Sequence, residues 1–147
     1  MSETDAFLEV TMHRYRDAET ALHNGDAGPR KAMWARADPV TLLGAALSAS
    51  GWEEVEPVFD RLEARFSSCT SCDHEVIAAG ASGDLAYIVA FEHTTASVGD
   101  SPPLPYSLRA TTVFRREDGD WKVVHRHADP VPSENAAELV QRLVADE

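Results

Sequence analysis

Cysteine is scarce in this 147-residue chain, and basic residues are outnumbered almost two to one by acidic ones. The two cysteines fall in Ser68-Cys69-Thr70-Ser71-Cys72, a C-x-x-C spacing. A redox pair wants its first thiol at a helix N-terminus, where the dipole lowers its pKa. Here the pair is expected between a helix and a strand, the opposite end. A structural zinc site needs four ligands, and only His74 lies nearby in sequence. Two ordinary thiols in a turn are therefore expected, with no metal site. The 13 Lys and Arg against 25 Asp and Glu leave a formal net charge of −12. Such a balance repels phosphate backbones and anionic lipid, so neither nucleic acid nor a membrane is an expected partner. Arg109, Arg115, Arg116, Lys122 and Arg126 do cluster on one expected hairpin, where cross-strand pairs or a small acidic ligand account for them. No apolar run approaches the roughly 20 residues of a membrane span. Met1-Ser2-Glu3-Thr4-Asp5 is no signal-peptide start, so a cytoplasmic location is expected. No phosphate-cradling glycine loop or nucleophile elbow appears, and no cofactor is expected.

What is present is enough for one domain over residues 1–147. A chain this long buries roughly two-thirds of its unfolded surface and folds without a metal or disulfide. Residues 3–24 read as an amphipathic helix, with Phe7, Val10, Thr11, Tyr15, Ala18, Ala21 and Leu22 on one stripe. Asn24-Gly25 ends it, and Asp26 is placed to cap a short helix through about Arg36 that anchors on Met33 and Trp34. Asp38-Pro39 breaks the helix, and residues 40–44 read as a short strand. Ser50-Gly51-Trp52-Glu53 has the form of a capping box before a third helix carrying Trp52, Val55, Phe59, Leu62 and Phe66, with Pro57 as a misfit. The main sheet is expected over 72–129. Segments 73–80 and 85–96 form a hairpin through Ala81-Ser82-Gly83-Asp84, and 106–116 and 120–129 form a second. The proline-rich loop 97–105 separates the two hairpins, and Ser133 is placed to cap a last helix over 133–145. Helices followed by an antiparallel meander define an α+β class.

The stretch 108–116, the Glu117-Asp118-Gly119-Asp120 turn and Trp121-Lys122-Val123-Val124-His125-Arg126-His127-Ala128-Asp129 resemble the last hairpin of SnoaL-like domains in the nuclear-transport-factor-2 (NTF2-like, ketosteroid-isomerase-like) superfamily. The Trp-x-x-Val-His-x-His pattern is closest to the branch related to the association domain of calcium/calmodulin-dependent kinase. The first helix, the Trp34 segment, the Gly51-Trp52 helix start and Gly83-Asp84-Leu85-Ala86-Tyr87 extend the resemblance over about residues 4–129. It implies a cone-shaped half-barrel around an apolar pocket, a small-molecule ligand and usually a homodimer. It also implies either acid–base chemistry of the isomerase, cyclase or dehydratase kind or a non-catalytic binding or dimerisation module. Fold alone does not decide between these. Ketosteroid isomerases of the superfamily carry a catalytic aspartate in a Thr-x-x-Asp-Pro stretch. Aligning Thr41 to that threonine puts Gly44-Ala45 in its place, while Asp38 lies six residues too early and reads as a turn residue.

The residue candidates come from strand alternation. Pairing Trp121 with Arg116 in continuous register puts Leu108, Ala110, Thr112, Phe114, Trp121, Val123, His125 and His127 on one face. That face is the more apolar, so it is expected to turn inward with both imidazoles, and Arg109 outward. Histidine near neutrality can shuttle a proton, which makes His127 and then His125 the catalytic candidates. Glu92 is a third, as a carboxylate partner, although either Glu92 or His93 could be the one facing in. Trp34, Tyr87, Thr112, Phe114 and Asp129 are the expected pocket residues.

Overall fold

The first helix forms because its apolar residues recur at helical spacing and its start is doubly capped. In the computed structural model, which describes residues 1–44 and 47–131, α1 runs Glu3–Leu22. Ser2 accepts from the Asp5 amide, and the Asp5 carboxylate returns the bond to the Ser2 amide. Phe7, Thr11, Tyr15, Ala18 and Leu22 are buried as expected, but Val10 is exposed and Glu19 is buried in its stead. Pro29 opens α2, Gly28–Met33, and Asp26 bonds the Gly28 amide. The capping box at Ser50 is not formed. Ser50 ends a strand, and Gly51, with φ of 85°, sits at the N-cap of α3, Trp52–Arg65. Pro57 fits inside α3 on its exposed side.

Six strands make one sheet in the order β2-β1-β6-β5-β4-β3. The strands are β1 (Thr41–Leu43), β2 (Ser48–Ser50), β3 (Phe66–Ser82), β4 (Leu85–Val98), β5 (Leu104–Glu117) and β6 (Asp120–Pro130). The two expected hairpins are present and longer than anticipated. Strand β2 and the parallel pairing of β1 on β6 extend the sheet beyond them. Curved and unclosed, the sheet packs its inner face on the helices, an NTF2-like α+β cone. Phe7 meets Phe114 and Trp121 edge-on at 5.1 Å, which fixes α1 to the sheet, and Trp34 at the end of α2 meets Phe59 of α3 at 5.2 Å, which ties those two helices together. Cys69 and Cys72 lie within β3, not in a turn, and are free thiols. Burial pushes Cys72 up to about 11, so it stays protonated near neutrality. The expected helix over 133–145 falls outside the described residues.

One irregularity decides which side chains face inward. Phe114 pairs with Val123, but Val113 pairs with His125, so Val124 is an extra residue in β6. A bulge of this kind slips the alternation by one. Beyond it, Arg126 and Ala128 turn inward and are buried, while His125 and His127 turn outward. The expectation that the histidines face the helices is therefore corrected. Arg109 stays outward, as expected.

Candidate functional site

The inner face of the sheet and the three helices surround a cavity of 560 Å³, within the range of small-molecule sites. Its walls are apolar, with Leu22 from α1, Leu42 from β1, Val58 and Leu62 from α3, Phe66 from β3 and Leu108 from β5. Exposed Val98, Leu104 and Pro130 form its mouth. Glu19, His23, Arg30, Glu92, Tyr106 and Arg126 supply its main polar groups.

These polar groups form a connected network. The Arg126 guanidinium holds Glu92 in two bonds, 2.9 Å from Nη1 and 2.6 Å from Nη2. Its Nη1 also donates to the Tyr15 hydroxyl at 2.6 Å, and that hydroxyl donates to Glu92 at 2.9 Å. Glu19 pairs with Arg30, whose guanidinium also lies 5.3 Å over the Phe59 ring. Burial would raise both carboxyls, but the guanidiniums more than reverse it. Arg126 holds Glu92 below its ordinary range, and Arg30 with Arg126 brings Glu19 down to about 2. Two carboxylates and two guanidiniums cancel, so the cavity floor is strongly polar yet carries no net charge. A carboxylate locked in a bidentate pair is a weak base. Glu92 therefore faces inward, as one of the two readings of that strand required, but its evident work is to hold Arg126.

Beside the floor, His23 Nδ1 lies 2.7 Å from the Glu19 carbonyl oxygen. A carbonyl only accepts, so Nδ1 carries the proton and Nε2 of the neutral ring is left to accept from the Tyr106 hydroxyl, its second partner. Burial pushes His23 below the usual imidazole range, although Glu19 pulls in the other direction. Burial pushes the Tyr106 phenol up. Both are thus neutral near pH 7. Behind them His74, on β3, is nearly fully enclosed and stands edge-on to Tyr15 with Nε2 3.8 Å from Glu92. Among the described residues neither of its ring nitrogens has a hydrogen-bond partner, and burial lowers its pKa.

Of the expected site residues, only Glu92 lines this cavity. His127 is half exposed on the outer sheet face, 3.3 Å from Asp129, and both border a shallower 310 Å³ concavity with Ile77, Val89 and Phe91. His125 is tied to the Thr41 hydroxyl at 2.7 Å, and burial lowers its pKa, helped by His127. Tyr87 is exposed on that same face. Phe114 is core. Trp34 and Thr112 border a separate 10 Å³ void that shares Glu19, Arg30 and Arg126 with the cavity. His93 faces outward, between Ser107 and Glu75. The residues missed from sequence are Glu19, His23, Arg30, Tyr106 and the inward Arg126. For three of them a signal existed, since Tyr15, Glu19 and His23 follow Phe7 and Thr11 at four-residue steps, and Tyr106 alternates with Leu108 and Ala110.

A family profile described as a SnoaL-like domain matches residues 12–132. A comparison with curated proteins returns no match. Among solved structures, the chain is similar to a candidate dehydratase of the NTF2-like family from Streptomyces avermitilis. That likeness has 21% identity and a TM-score of 0.70, and covers 88% of this chain and 99% of that one. A candidate calcium/calmodulin-dependent protein kinase type II association domain from Thiobacillus denitrificans is 22% identical, with a TM-score of 0.67 over 84% of this chain and 94% of that one. A candidate ketosteroid isomerase from Parabacteroides distasonis is 16% identical, with a TM-score of 0.64 over 84% and 86%. At these identities the likeness is one of fold. No helix among the described residues is long and apolar enough to cross a membrane.

Proposed function

The chain belongs to the SnoaL-like domain family, and from that premise we propose that it binds a small, neutral, largely apolar molecule in the interior cavity and acts on it by acid–base chemistry of the isomerase, cyclase or dehydratase kind. The observation that carries this reading is the pairing of apolar walls with a polar floor whose charges cancel. A carbonyl or hydroxyl can accept from or donate to such a floor. A carboxylate entering it would lose its water and find both guanidiniums already paired. The dehydratase and isomerase candidates among the structural neighbours support the reaction class. Calorimetric titration with 2-naphthol and with 2-naphthoate tests the reading. The neutral probe is expected to bind, and the anion of similar shape at least about tenfold more weakly. Equal affinity, or preference for the anion, contradicts it.

A second reading concerns assembly and leaves the cavity untouched. The outer sheet face carries Ile77 at 55% and Tyr87 at 44% exposure beside Val89 and Phe91, flanked by Arg109 and Asp129. An apolar strip with both charge signs at its edge is self-complementary under a two-fold axis, as a homodimer requires. The association-domain likeness supports the same reading. Sedimentation velocity is expected to give a dimer that Tyr87→Glu converts to monomer, and a monomeric wild-type protein would contradict it.

A further inference from the structure

We infer that Tyr106 and His23 form a proton relay in the wall of the interior cavity, with Tyr106 the catalytic residue that touches substrate and His23 the positioning residue that receives the phenolic proton. The inference rests on the proposed ligand site and adds to it the group that moves a proton.

Three features of the geometry carry it. The chain of bonds is directional: Tyr106 hydroxyl to His23 Nε2, and His23 Nδ1–H to the Glu19 carbonyl oxygen. The carbonyl fixes the tautomer, so the nitrogen facing the phenol is the basic one. The ring itself is held, lying 4.3 Å from the Phe66 ring on one side and 5.8 Å from the Tyr106 ring on another. Finally, both side chains line the cavity, which sets Tyr106 beside a molecule bound there. The other inward carboxylates are spoken for, Glu92 by Arg126 and Glu19 by Arg30. Of the two buried neutral imidazoles, His23 lines the cavity and His74 does not, so near neutrality His23 is the available base there.

The step balances without a co-reactant. The Tyr106 oxygen takes a proton from an acidic C–H of the substrate while the phenolic proton passes to His23 Nε2. The C–H electron pair moves into the substrate, either to an enolate or to expel a leaving group. Returning both protons in reverse order restores the neutral pair. Because the two transfers occur together, a free phenolate, which burial disfavours here, is never required. The imidazolium that forms faces the Glu19 carboxylate on its own helix. Against it stand Arg30 of α2 and Arg126 of β6, and Tyr106 of β5 is its proton donor.

The probe is 5-nitrobenzisoxazole, a neutral bicyclic carbon acid. Loss of its ring C–H proton forms a nitrile, breaks the N–O bond and releases a coloured phenolate. The full chain is expected to accelerate this elimination with saturation. The rate should rise with pH through an apparent pKa below the usual histidine value of about 6.5 and then level off. Tyr106→Phe, which removes one oxygen, is expected to lower kcat by about a hundredfold with KM nearly unchanged. His23→Asn should abolish the pH-dependent limb, which a merely structural role would not move. Saturable binding with no acceleration, or a Tyr106→Phe variant as fast as wild type, overturns the relay and leaves the ligand site standing. No saturation and no perturbation of the cavity methyl resonances by the probe would mean that the ligand site itself has failed.

Discussion

Arg126→Met is expected to destabilise the protein by about 3–5 kcal/mol, among the largest single losses available in this chain. The reason is less the lost attraction than what remains. Glu92 and the Tyr15 hydroxyl are buried, and both take hydrogen bonds from Nη1, with Nη2 also on Glu92. Without the guanidinium, Glu92 keeps the bond from Tyr15 but is an uncompensated buried charge, and it must bind a proton or admit water. The double variant Arg126→Met, Glu92→Leu removes that orphan and should recover most of the loss, since apolar replacement of a buried pair is often neutral or better. Urea unfolding of the wild type, both single variants and the double variant closes the cycle. A double variant as unstable as Arg126→Met would show that the penalty lies elsewhere.

Acidification is expected to destabilise the fold in two stages. His23 and His74 have folded pKa values below the ordinary 6.5 because burial disfavours their charged forms. The unfolded chain then binds more protons, so their contribution is present above pH 6.5 and is lost as pH falls through the folded values. Glu19 follows. Its carboxyl sits at about 2 against an ordinary 4.5, so its contribution is complete above 4.5 and is lost as pH falls toward 2. With about 1.4 kcal/mol per pKa unit, the Glu19 part is about 3 kcal/mol. The overall charge of −12 works in the opposite direction, because protonation relieves self-repulsion. Glu19→Gln separates the two. It is expected to lose about 3 kcal/mol at pH 7 and to converge with the wild type near pH 2. Parallel stability curves at every pH would contradict the assignment.

Periodicity revealed the class and the two long hairpins, because each rests on runs long enough to average out local exceptions, while the family was legible from the resemblance of the last hairpin, residues 108–129. Neither revealed which side chains meet in the interior. Strand alternation is a parity argument, and the one extra residue at Val124 inverted it for everything downstream. His125 and His127 thereby moved to the outer face, and Arg126, read as an outward hairpin charge, became the centre of the buried network. The first helix failed in a different manner. Its apolar stripe includes Val10 and passes over the charged Glu19, yet Arg30, brought from another element, makes burial of Glu19 tolerable. No local signal announces such a partner. Strand β1 falls within the short strand expected over 40–44, but its parallel pairing with β6, more than 80 residues away in sequence, is not reported by composition, and neither is the three-residue β2 that pairs with β1 alone. The Cys69–Cys72 segment is expected as a turn because it lies between a helix and a strand, but pairing with β4 resumes at Ser71 and makes it strand.

The proposed ligand site is the interior cavity and not the outer concavity beside His127. Intermolecular NOEs from 2-naphthol to a methyl-labelled sample test that most directly. Contacts are expected from the naphthalene ring to the methyls of Leu22, Leu42 and Leu62, which line the cavity walls. Contacts confined to Ile77 and Val89 on the outer face would contradict it.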